Sequence, residues 1–391
     1  MQEVRDKWPE LFESHFYLGT MHIQRGYPKV AYEELSTAIE INNHHLEGHN
    51  NFGVAAENMG FHEESLEAYE TAGELVLGPT TDRHMRHLYP IPFINAARLL
   101  HQHLNRTDDA VANLGVAINI TTPAEDIGHH FYAIGMRAFL LGDVEAAREA
   151  FLMCFTDPES VFPVPDGVLR REDVEELRTR RFSNIYDRAF WGYQRSGPGS
   201  SLKATEVFRQ QVEDIIRENN VKSVLDIGCG DWTWMPHVNL TGVDYLGVDI
   251  VPQLIKDNLQ QSETFYKNES NAHLGRPSKI DFQVLDAVST PPPPPARDLV
   301  VCREVIIHLP LRDILRFLSH INNSGARLLI LDMDERVDKN DDSSVTQFAL
   351  PGAGWRPVNL RLPPFNFDPP LKDNLDRGAR LWALPLKNLD T

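Results

Sequence analysis

A spacing of 34 residues recurs in the first third of the chain and constrains its fold more than any other feature. Three pairs of small residues share this spacing: Gly19 and Gly53, Gly26 and Gly60, and Ala38 and Ala72. Small residues let two helices approach closely, and a glycine at a turn allows the left-handed conformation that ends a helix. The spacing therefore predicts repeated helix–turn–helix units.

Two further units continue the pattern. The third spans roughly residues 93–121, and the fourth carries Gly135, Gly142 and Phe151. Over about 150 residues the chain resembles tetratricopeptide-repeat proteins, whose unit has this period. The resemblance implies an all-α solenoid that offers a concave surface to a protein or peptide partner. Bracing of a neighbouring domain or dimerisation is an equally open interpretation.

Charge is distributed unevenly along the chain. The sequence has 38 Lys and Arg against 56 Asp and Glu, a net charge of −18. Residues 1–159 contribute 10 basic and 24 acidic residues, a net of −14, and residues 160–391 contribute 28 and 32, a net of −4. A sequence-independent nucleic-acid binder needs a basic surface, so no nucleic-acid partner is expected. The acidic repeats favour basic partner surfaces.

Cysteines and histidines form neither a disulfide nor a metal-binding pattern. Cys154, Cys229 and Cys302 are odd in number and far apart, which predicts no disulfide framework and no structural zinc site. Twelve of the 16 histidines lie within residues 1–159, but they are scattered, and no metal is expected. The N-terminus lacks the apolar core of a secretory signal, and no apolar run approaches the roughly 20 residues of a membrane span. We therefore expect a soluble cytoplasmic protein with no membrane partner.

Prolines and glycines interrupt the middle of the chain. Three prolines between residues 155 and 166 end the helical pattern, and a charged amphipathic helix is predicted after them. The stretch Trp191–Ser201 is rich in glycine and serine, which favours a flexible hinge. Its aromatic residues beside flexible glycines would also suit a lid over a ligand. The sequence predicts a repeat domain over 1–159, a linker and possible lid over 160–203, and a second domain over 204–391.

From residue 204 onward, strand and helix signals alternate. Short apolar runs predict buried parallel strands, and amphipathic segments between them predict helices. The predicted strands are Val224–Ile227, Tyr245–Ile250, Ile280–Ala287, Asp298–Glu304 and Arg327–Asp332. This alternation predicts a doubly wound, Rossmann-like α/β sheet with its ligand crevice at the carboxyl ends of the strands.

Residues at the first two strand ends indicate what the crevice binds. Gly228 and Gly230 allow close approach of a ligand, but Thr233 replaces the third glycine of a dinucleotide fingerprint. Asp226 precedes these glycines, and an acid there disfavours a pyrophosphate and suits an ammonium group. Asp249, 19 residues after Gly230, would accept hydrogen bonds from ribose hydroxyls.

A third acid follows the third strand. Asp286, together with Ala287, would hold an adenine amino group and ring edge. The three acids suit S-adenosylmethionine, which is cationic and carries a ribose and an adenine but no phosphate. The alternative for each acid is a helix cap or a turn.

The motifs of this half, taken together, resemble class I S-adenosylmethionine-dependent methyltransferases. They are VLDIGCG at 224–230, GVD at 247–249, LDA at 285–287 and CREVIIHL at 302–309. One poorly characterised subgroup is matched more closely, through SGPGS at 196–200, GCGDWTWM at 228–235 and LPPFNF at 362–367. The resemblance covers about residues 185–386. It implies seven strands, with a last antiparallel hairpin near 358–362 and 381–386.

The resemblance also implies roles for individual residues. It assigns the first strand end to the methionine part of the cofactor, Asp249 to the ribose and Asp286 to the adenine. It places Arg303 and Glu304 near the methyl group. The cofactor-binding residues that it implies are Asp226, Gly228, Gly230, Asp249, Ile250, Asp286, Ala287 and Arg303.

Methyl transfer is an in-line displacement at a sulfonium, so the enzyme mainly needs to align its reactants. A hydroxyl acceptor also needs a general base, and His308 and Glu304 are the candidates. His308 could instead pack against Leu309 at a helix start, and Glu304 could form a structural ion pair with Arg303.

The sequence allows three alternative functions. The first is an active methyltransferase whose repeats recruit a partner or substrate, with a small molecule, a glycan or a peptide as methyl acceptor. The second is an inactive methyltransferase fold that acts as a scaffold, which the intact acids and glycines disfavour. The third, a nicotinamide-dependent dehydrogenase, is disfavoured by Asp226 and by the missing third glycine.

Overall fold

A computed structural model shows two compact units, Met1–Leu169 and Arg170–Thr391. The boundaries predicted at residues 159 and 203 stay predictions. Within the described residues, no helix is long and apolar enough to cross a bilayer, and no three His, Cys, Asp or Glu side chains are grouped to hold a metal ion. The structure describes residues 10–79, 89–156, 162–189, 191–192, 195–271, 273–293, 295–340 and 356–386.

The described part of the first unit is entirely helical, as predicted. Its helices are α1 (Phe12–Gln24), α2 (Pro28–Ile41), α3 (Leu46–Asn58), α4 (His62–Leu77), α5 (Ile91–Gln102), α6 (Thr107–Ile120), α7 (Ile127–Leu140) and α8 (Val144–Cys154). Consecutive helices pack against each other in four pairs. The assignment of these pairs to tetratricopeptide repeats stays a prediction.

The turns inside these pairs explain the recurring glycines. Gly26, Gly60 and Gly142 have φ angles of 73°, 81° and 83°, in the left-handed region that favours glycine. In the third pair Asn105 takes this conformation, with φ of 54°; asparagine is the residue that replaces glycine most readily there. The less typical third turn is therefore the same structural device with a different residue.

The second unit is built on one mixed sheet, which confirms the predicted Rossmann-like α/β class. Its strand order is β3-β2-β1-β4-β5-β6; the first five strands are parallel and β6 is antiparallel. The strands are β1 (Ser223–Ile227), β2 (Asp244–Asp249), β3 (Lys279–Val284), β4 (Leu299–Cys302), β5 (Leu328–Asp332) and β6 (Ala379–Ala383). The helices are α9 (Arg171–Asp187), α10 (Glu206–Glu218), α11 (Pro252–Phe265) and α12 (Leu311–Asn322).

The strand count differs from the prediction. Seven strands were implied, and the described residues hold six. The segment 358–362, expected as half of a hairpin, is irregular; only Ala379–Ala383 joins the sheet. Pro357 and Pro363 flank this segment and have no N–H to donate to a strand ladder, which explains why it does not extend the sheet.

Both faces of the sheet are buried at the inner strands β1, β2, β4 and β5, which explains why these strands are continuous apolar runs, whereas the edge strand β3 is largely exposed. On one face, Phe208 of α10 packs with Val224 of β1. On the other, α12 buries an apolar stripe against Leu225 and its neighbours. The stripe is Ile314, Phe317, Leu318 and Ile321, with the spacing of one helix face.

Candidate functional site

A cavity of about 860 Å³ lies at the carboxyl ends of the parallel strands. The strand register produces it, because Ile227 of β1 lies beside both Val248 of β2 and Cys302 of β4, so the loops that follow start at one edge. All ten predicted site residues line this cavity: Asp226, Gly228, Gly230, Asp249, Ile250, Asp286, Ala287, Arg303, Glu304 and His308. The structure therefore brings the whole predicted set together, while the role of each residue stays a proposal.

The loop after β1 requires its two glycines. Gly228 and Gly230 have φ angles of 71° and 55°. A Cβ at Gly228 would overlap the side chain of Val305, and a Cβ at Gly230 would overlap Ser196 Oγ. The N–H groups of Gly228 and Cys229 both donate to the carbonyl of Val248, at 2.8 and 3.1 Å. The loop is thus a tight backbone cradle that no side chain fills.

Asp249 anchors this loop to the end of β2. Its Oδ2 accepts the N–H of Gly230 at 3.0 Å, and its Oδ1 accepts the N–H of Val251 at 3.0 Å. Burial raises the pKa of Asp249 to about 6, against the opposing effect of these hydrogen bonds. The N–H of Ile250 is a third backbone donor to this carboxylate, which leaves one of its four lone pairs for a further donor.

Asp226 lies at the end of β1, buried beneath the loop. The hydroxyl of Tyr245 donates to its Oδ2 at 2.8 Å. Burial raises the pKa of Asp226 to about 7, and the nearby charge of Asp249 adds to this effect. Two buried carboxylates that are costly to ionise are the kind of pair that a bound cation stabilises.

Asp286 lies at the opposite end of the cavity and already has several partners. Its Oδ1 accepts the N–H of Val288 at 3.0 Å, and its Oδ2 accepts the hydroxyl of Ser289 at 3.0 Å. Arg178 of α9 also pairs with Oδ2. Sequence reasoning missed Arg178 because it lies in a charged stretch assigned to the linker, more than 100 residues before its partner.

The end of β4 holds an unusual backbone conformation. Glu304 has a φ of 56°, and its N–H donates to Oδ1 of Asp332, at the end of β5, at 2.6 Å. Burial raises the pKa of Asp332 to about 6. The Glu304 carboxylate lies 3.2 Å from Arg303 Nη2 and 3.9 Å from Arg377 Nη1.

Asp332 and Arg377 were not predicted as site residues. Asp332 ends the predicted fifth strand, so its position at the crevice edge was the available signal. Arg377 lies beyond the recognised motifs, and no local pattern points to it.

His308 closes one side of the cavity. It lies in the short 3-10 turn Ile306–His308 and not at the start of α12, which begins at Leu311. Its ring stacks on Trp191, with ring centroids 5.1 Å apart. Trp191 in turn meets Tyr186 edge to face. His308 is therefore part of an aromatic wall and faces the same space as the three acids.

The serine- and glycine-rich stretch also forms part of the wall. Ser196 Oγ accepts the N–H of Asp231 at 2.9 Å, and the carbonyl of Gly199 accepts from Arg303 Nη1 at 3.3 Å. A plain hinge would make no such contacts with the glycine loop, so the preference for a hinge is not supported. Residues 196–200 line the cavity instead.

Residues 202–366 match the model of a family described as a methyltransferase domain. No curated protein sequence matches the chain. Among solved structures, the chain is similar to the magnesium protoporphyrin IX methyltransferase ChlM of Synechocystis PCC 6803. The form with bound SAM is 16% identical over 56% of this chain and 97% of that chain, with a TM-score of 0.34. The form with bound SAH is 19% identical over 42% and 73%, with a TM-score of 0.31.

A third similar structure is that of MamA, 17% identical over 40% of this chain and 82% of that chain, with a TM-score of 0.32. TM-scores of this size do not establish a common fold, so the assignment depends on the family match, the sheet and the cavity. On those grounds, the second unit of this chain is a class I methyltransferase domain, a class whose cofactor is S-adenosylmethionine.

Proposed function

We propose that the chain is an active methyltransferase that transfers the methyl group of S-adenosylmethionine to an acceptor bound in the same cavity. The observation that carries the proposal is the convergence of all ten predicted residues on one cavity, four carboxylates among them. The acids and glycines of a dead site would have no reason to stay arranged in this way. An inactive scaffold is the alternative.

The residues present fit the cofactor. Gly228 and Gly230 let the backbone of the loop lie where a Cβ would overlap Val305 or Ser196, and both glycines line the cavity. Asp226 and Asp249 are buried acids whose ionised forms a cation would stabilise. In the proposal, Asp226 and the glycine loop hold the methionine part, Asp249 and Ile250 the ribose, and Asp286 and Ala287 the adenine. When bound, the cofactor supplies an electrophilic methyl group on its sulfonium.

The chain's own residues would then align the acceptor and remove its proton. We assign the base to His308, because the Glu304 carboxylate is already shared between the guanidinium groups of Arg303 and Arg377. Glu304 would orient the acceptor instead. A ring stacked on Trp191 is held in one plane, which favours a fixed direction of proton transfer.

The size of the cavity supports an acceptor that binds beside the cofactor. Small-molecule pockets range from about 300 to 1,000 Å³, and this cavity, at about 860 Å³, lies near the upper end, which leaves room beside a cofactor for the reacting part of an acceptor. A small molecule, a sugar hydroxyl or one peptide side chain fits this space. The repeats, with a net charge of −14 over residues 1–159, would recruit a basic partner or a substrate carrier.

We place the reaction in the cytoplasm, whose reducing environment suits three buried cysteine thiols.

Calorimetric titration of S-adenosylmethionine into the full-length protein tests the proposal. The wild-type chain should bind one equivalent. Asp249→Ala and Gly228→Val should weaken binding at least about 100-fold, because the first removes a charged acceptor and the second fills the cradle. Asp244→Asn, at the opposite end of β2, is the matched control and should bind as the wild type does. Absence of binding by the wild type would reject the proposal.

A further inference from the structure

A buried ion cluster forms part of the cavity wall next to Asp286. Arg178 of α9 pairs through Nη1 with Asp286 Oδ2, and through Nη2 with Asp313 Oδ2 of α12 at 2.8 Å. Arg178 is 1% exposed and Asp313 is fully buried. We call Arg178, Asp286 and Asp313 the arginine bridge.

Burying the three charged side chains of the arginine bridge costs free energy unless all three are present. One guanidinium serves two carboxylates. Removing it would leave Asp286 with neutral donors only, and Asp313 with only Arg312 and Arg316, each 3.9 Å from its Oδ1. Burial raises the pKa of Asp313 even though Arg178 is next to it. Arg178 therefore holds the Asp286 carboxylate in place.

Arg178 also occupies one of the two carboxylate oxygens of Asp286. Oδ2 accepts from both Arg178 and Ser289, so its two lone pairs are used. Oδ1 accepts only the N–H of Val288 in the described residues and keeps one position open. Since Asp286 lines the cavity, that position is available to one donor of a ligand.

We infer that Arg178 is a positioning residue for nucleoside recognition: it fixes Asp286 so that Oδ1 selects a ligand base that carries an amino donor. This inference rests on the proposed function, because it takes Asp286 as the residue that meets the adenine. It also extends the cofactor site beyond the family-matched segment 202–366, since α9 precedes that segment. The guanidinium fork suits this task, because its two nitrogens reach two carboxylates at once; a lysine offers a single point charge.

The test compares two ligands, S-adenosylhomocysteine and its analogue whose purine lacks the 6-amino group, by calorimetry on the full-length chain. The wild type should prefer the amino-bearing ligand about 10- to 100-fold, the range for a hydrogen bond to a charged acceptor. Arg178→Lys should lose most of that preference. Arg178→Met combined with Asp313→Asn should lose all of it, and this pair avoids leaving two buried acids together.

The ratio of the two affinities separates positioning from general damage. In the Arg178 variants, affinity for the amino-bearing ligand should fall about 10- to 100-fold, while affinity for the analogue changes less than about 3-fold. Arg180→Met is the matched control, because Arg180 lies on the same helix and pairs with Glu176, and it should keep the wild-type ratio. A wild-type ratio in the folded Arg178 variants would overturn the inference and leave the proposed function intact. Equal affinities of the wild type for the two ligands would also overturn the inference and leave the proposed function intact. If the wild type bound neither ligand, the inference and the proposed function would both be overturned.

Discussion

The backbone N–H of Glu304 donates to Oδ1 of Asp332 at 2.6 Å, and this contact joins the ends of β4 and β5. It holds Glu304 in a left-handed conformation that costs a residue with a Cβ about 1–2 kcal/mol. Asp332 is itself buried, with a pKa raised to about 6. The left-handed backbone of Glu304 and the buried carboxyl group of Asp332 are each unfavourable alone, and their hydrogen bond stabilises both beside the cavity. Such strained residues are typical of functional sites.

Asp332→Asn should stabilise the free protein in a pH-dependent manner. A folded-state pKa of about 6 lies above the unfolded value, so stability is present at low pH and is lost as the pH rises through 6. Asparagine keeps a carbonyl oxygen for Glu304 and removes the charge. Urea denaturation should show a gain of up to about 3 kcal/mol at pH 8 and none at pH 4. An equal gain at both pH values would contradict the assignment of this cost to ionisation.

Affinity for S-adenosylmethionine should fall as the pH is lowered from 8 to 5. The pKa values of Asp226 and Asp249, raised to about 7 and about 6, mean that both acids take up protons in the free protein over this range. A cationic ligand prefers both ionised, so its binding must release those protons. Calorimetry should show a loss of up to about 1,000-fold at pH 5, about 100-fold of it from Asp226. Asp226→Asn should flatten most of this dependence, and a flat wild-type profile would contradict the role given to these acids.

Gly199→Ala should affect transfer more than cofactor binding. A Cβ at Gly199 would lie 2.5 Å from Glu304 Oε2, at the end of a flexible side chain that can move aside. Stability should therefore change by less than about 1 kcal/mol, while the displaced carboxylate no longer orients the acceptor. Labelled-methyl transfer should fall at least about 10-fold, with affinity for S-adenosylmethionine within about 3-fold. Unchanged transfer would show that the position of Glu304 does not matter.

In the first unit, replacing each of two helical glycines by alanine should change stability in opposite directions. A Cβ at Gly53 would lie 2.6 Å from Tyr69 Cε1, which is buried between helices α3 and α4, so Gly53→Ala should destabilise the unit by about 1–3 kcal/mol. Gly115, within α6, has open space around it, and Gly115→Ala should stabilise by up to about 1 kcal/mol through helix propensity. Thermal unfolding of both variants checks this, and a destabilising Gly115→Ala would contradict the packing argument.

The sequence was sufficient for the parts of the structure that follow local rules. The helical repeats and their positive-φ turns at Gly26 and Gly60, the parallel strands and the acids at the strand ends all follow from spacing and residue type. The site residues that the sequence did not predict are those whose partners lie far away along the chain. Arg178 meets residues more than 100 positions away, and Arg377 approaches Glu304 from near the end of the chain.

The other differences have local causes. The expected strand at 358–362 is interrupted because prolines flank it, although its apolar residues suit a strand. The stretch at 196–200 has the composition of a linker, yet it packs against the site, with Gly199 beside the Glu304 carboxylate. In both cases the local residue types agree with the prediction, and the observed structure differs because of neighbouring residues.

Methyl transfer by the second unit is tested most directly by one measurement. The full-length wild type and Asp249→Ala are each incubated with methyl-labelled S-adenosylmethionine and a lysate of the source cells, and label is followed into protein, glycan and small-molecule fractions. The proposed function predicts label in one fraction with the wild type and a loss of at least about 100-fold with Asp249→Ala. Equal labelling by the two proteins, or no labelling above a protein-free control, would contradict it.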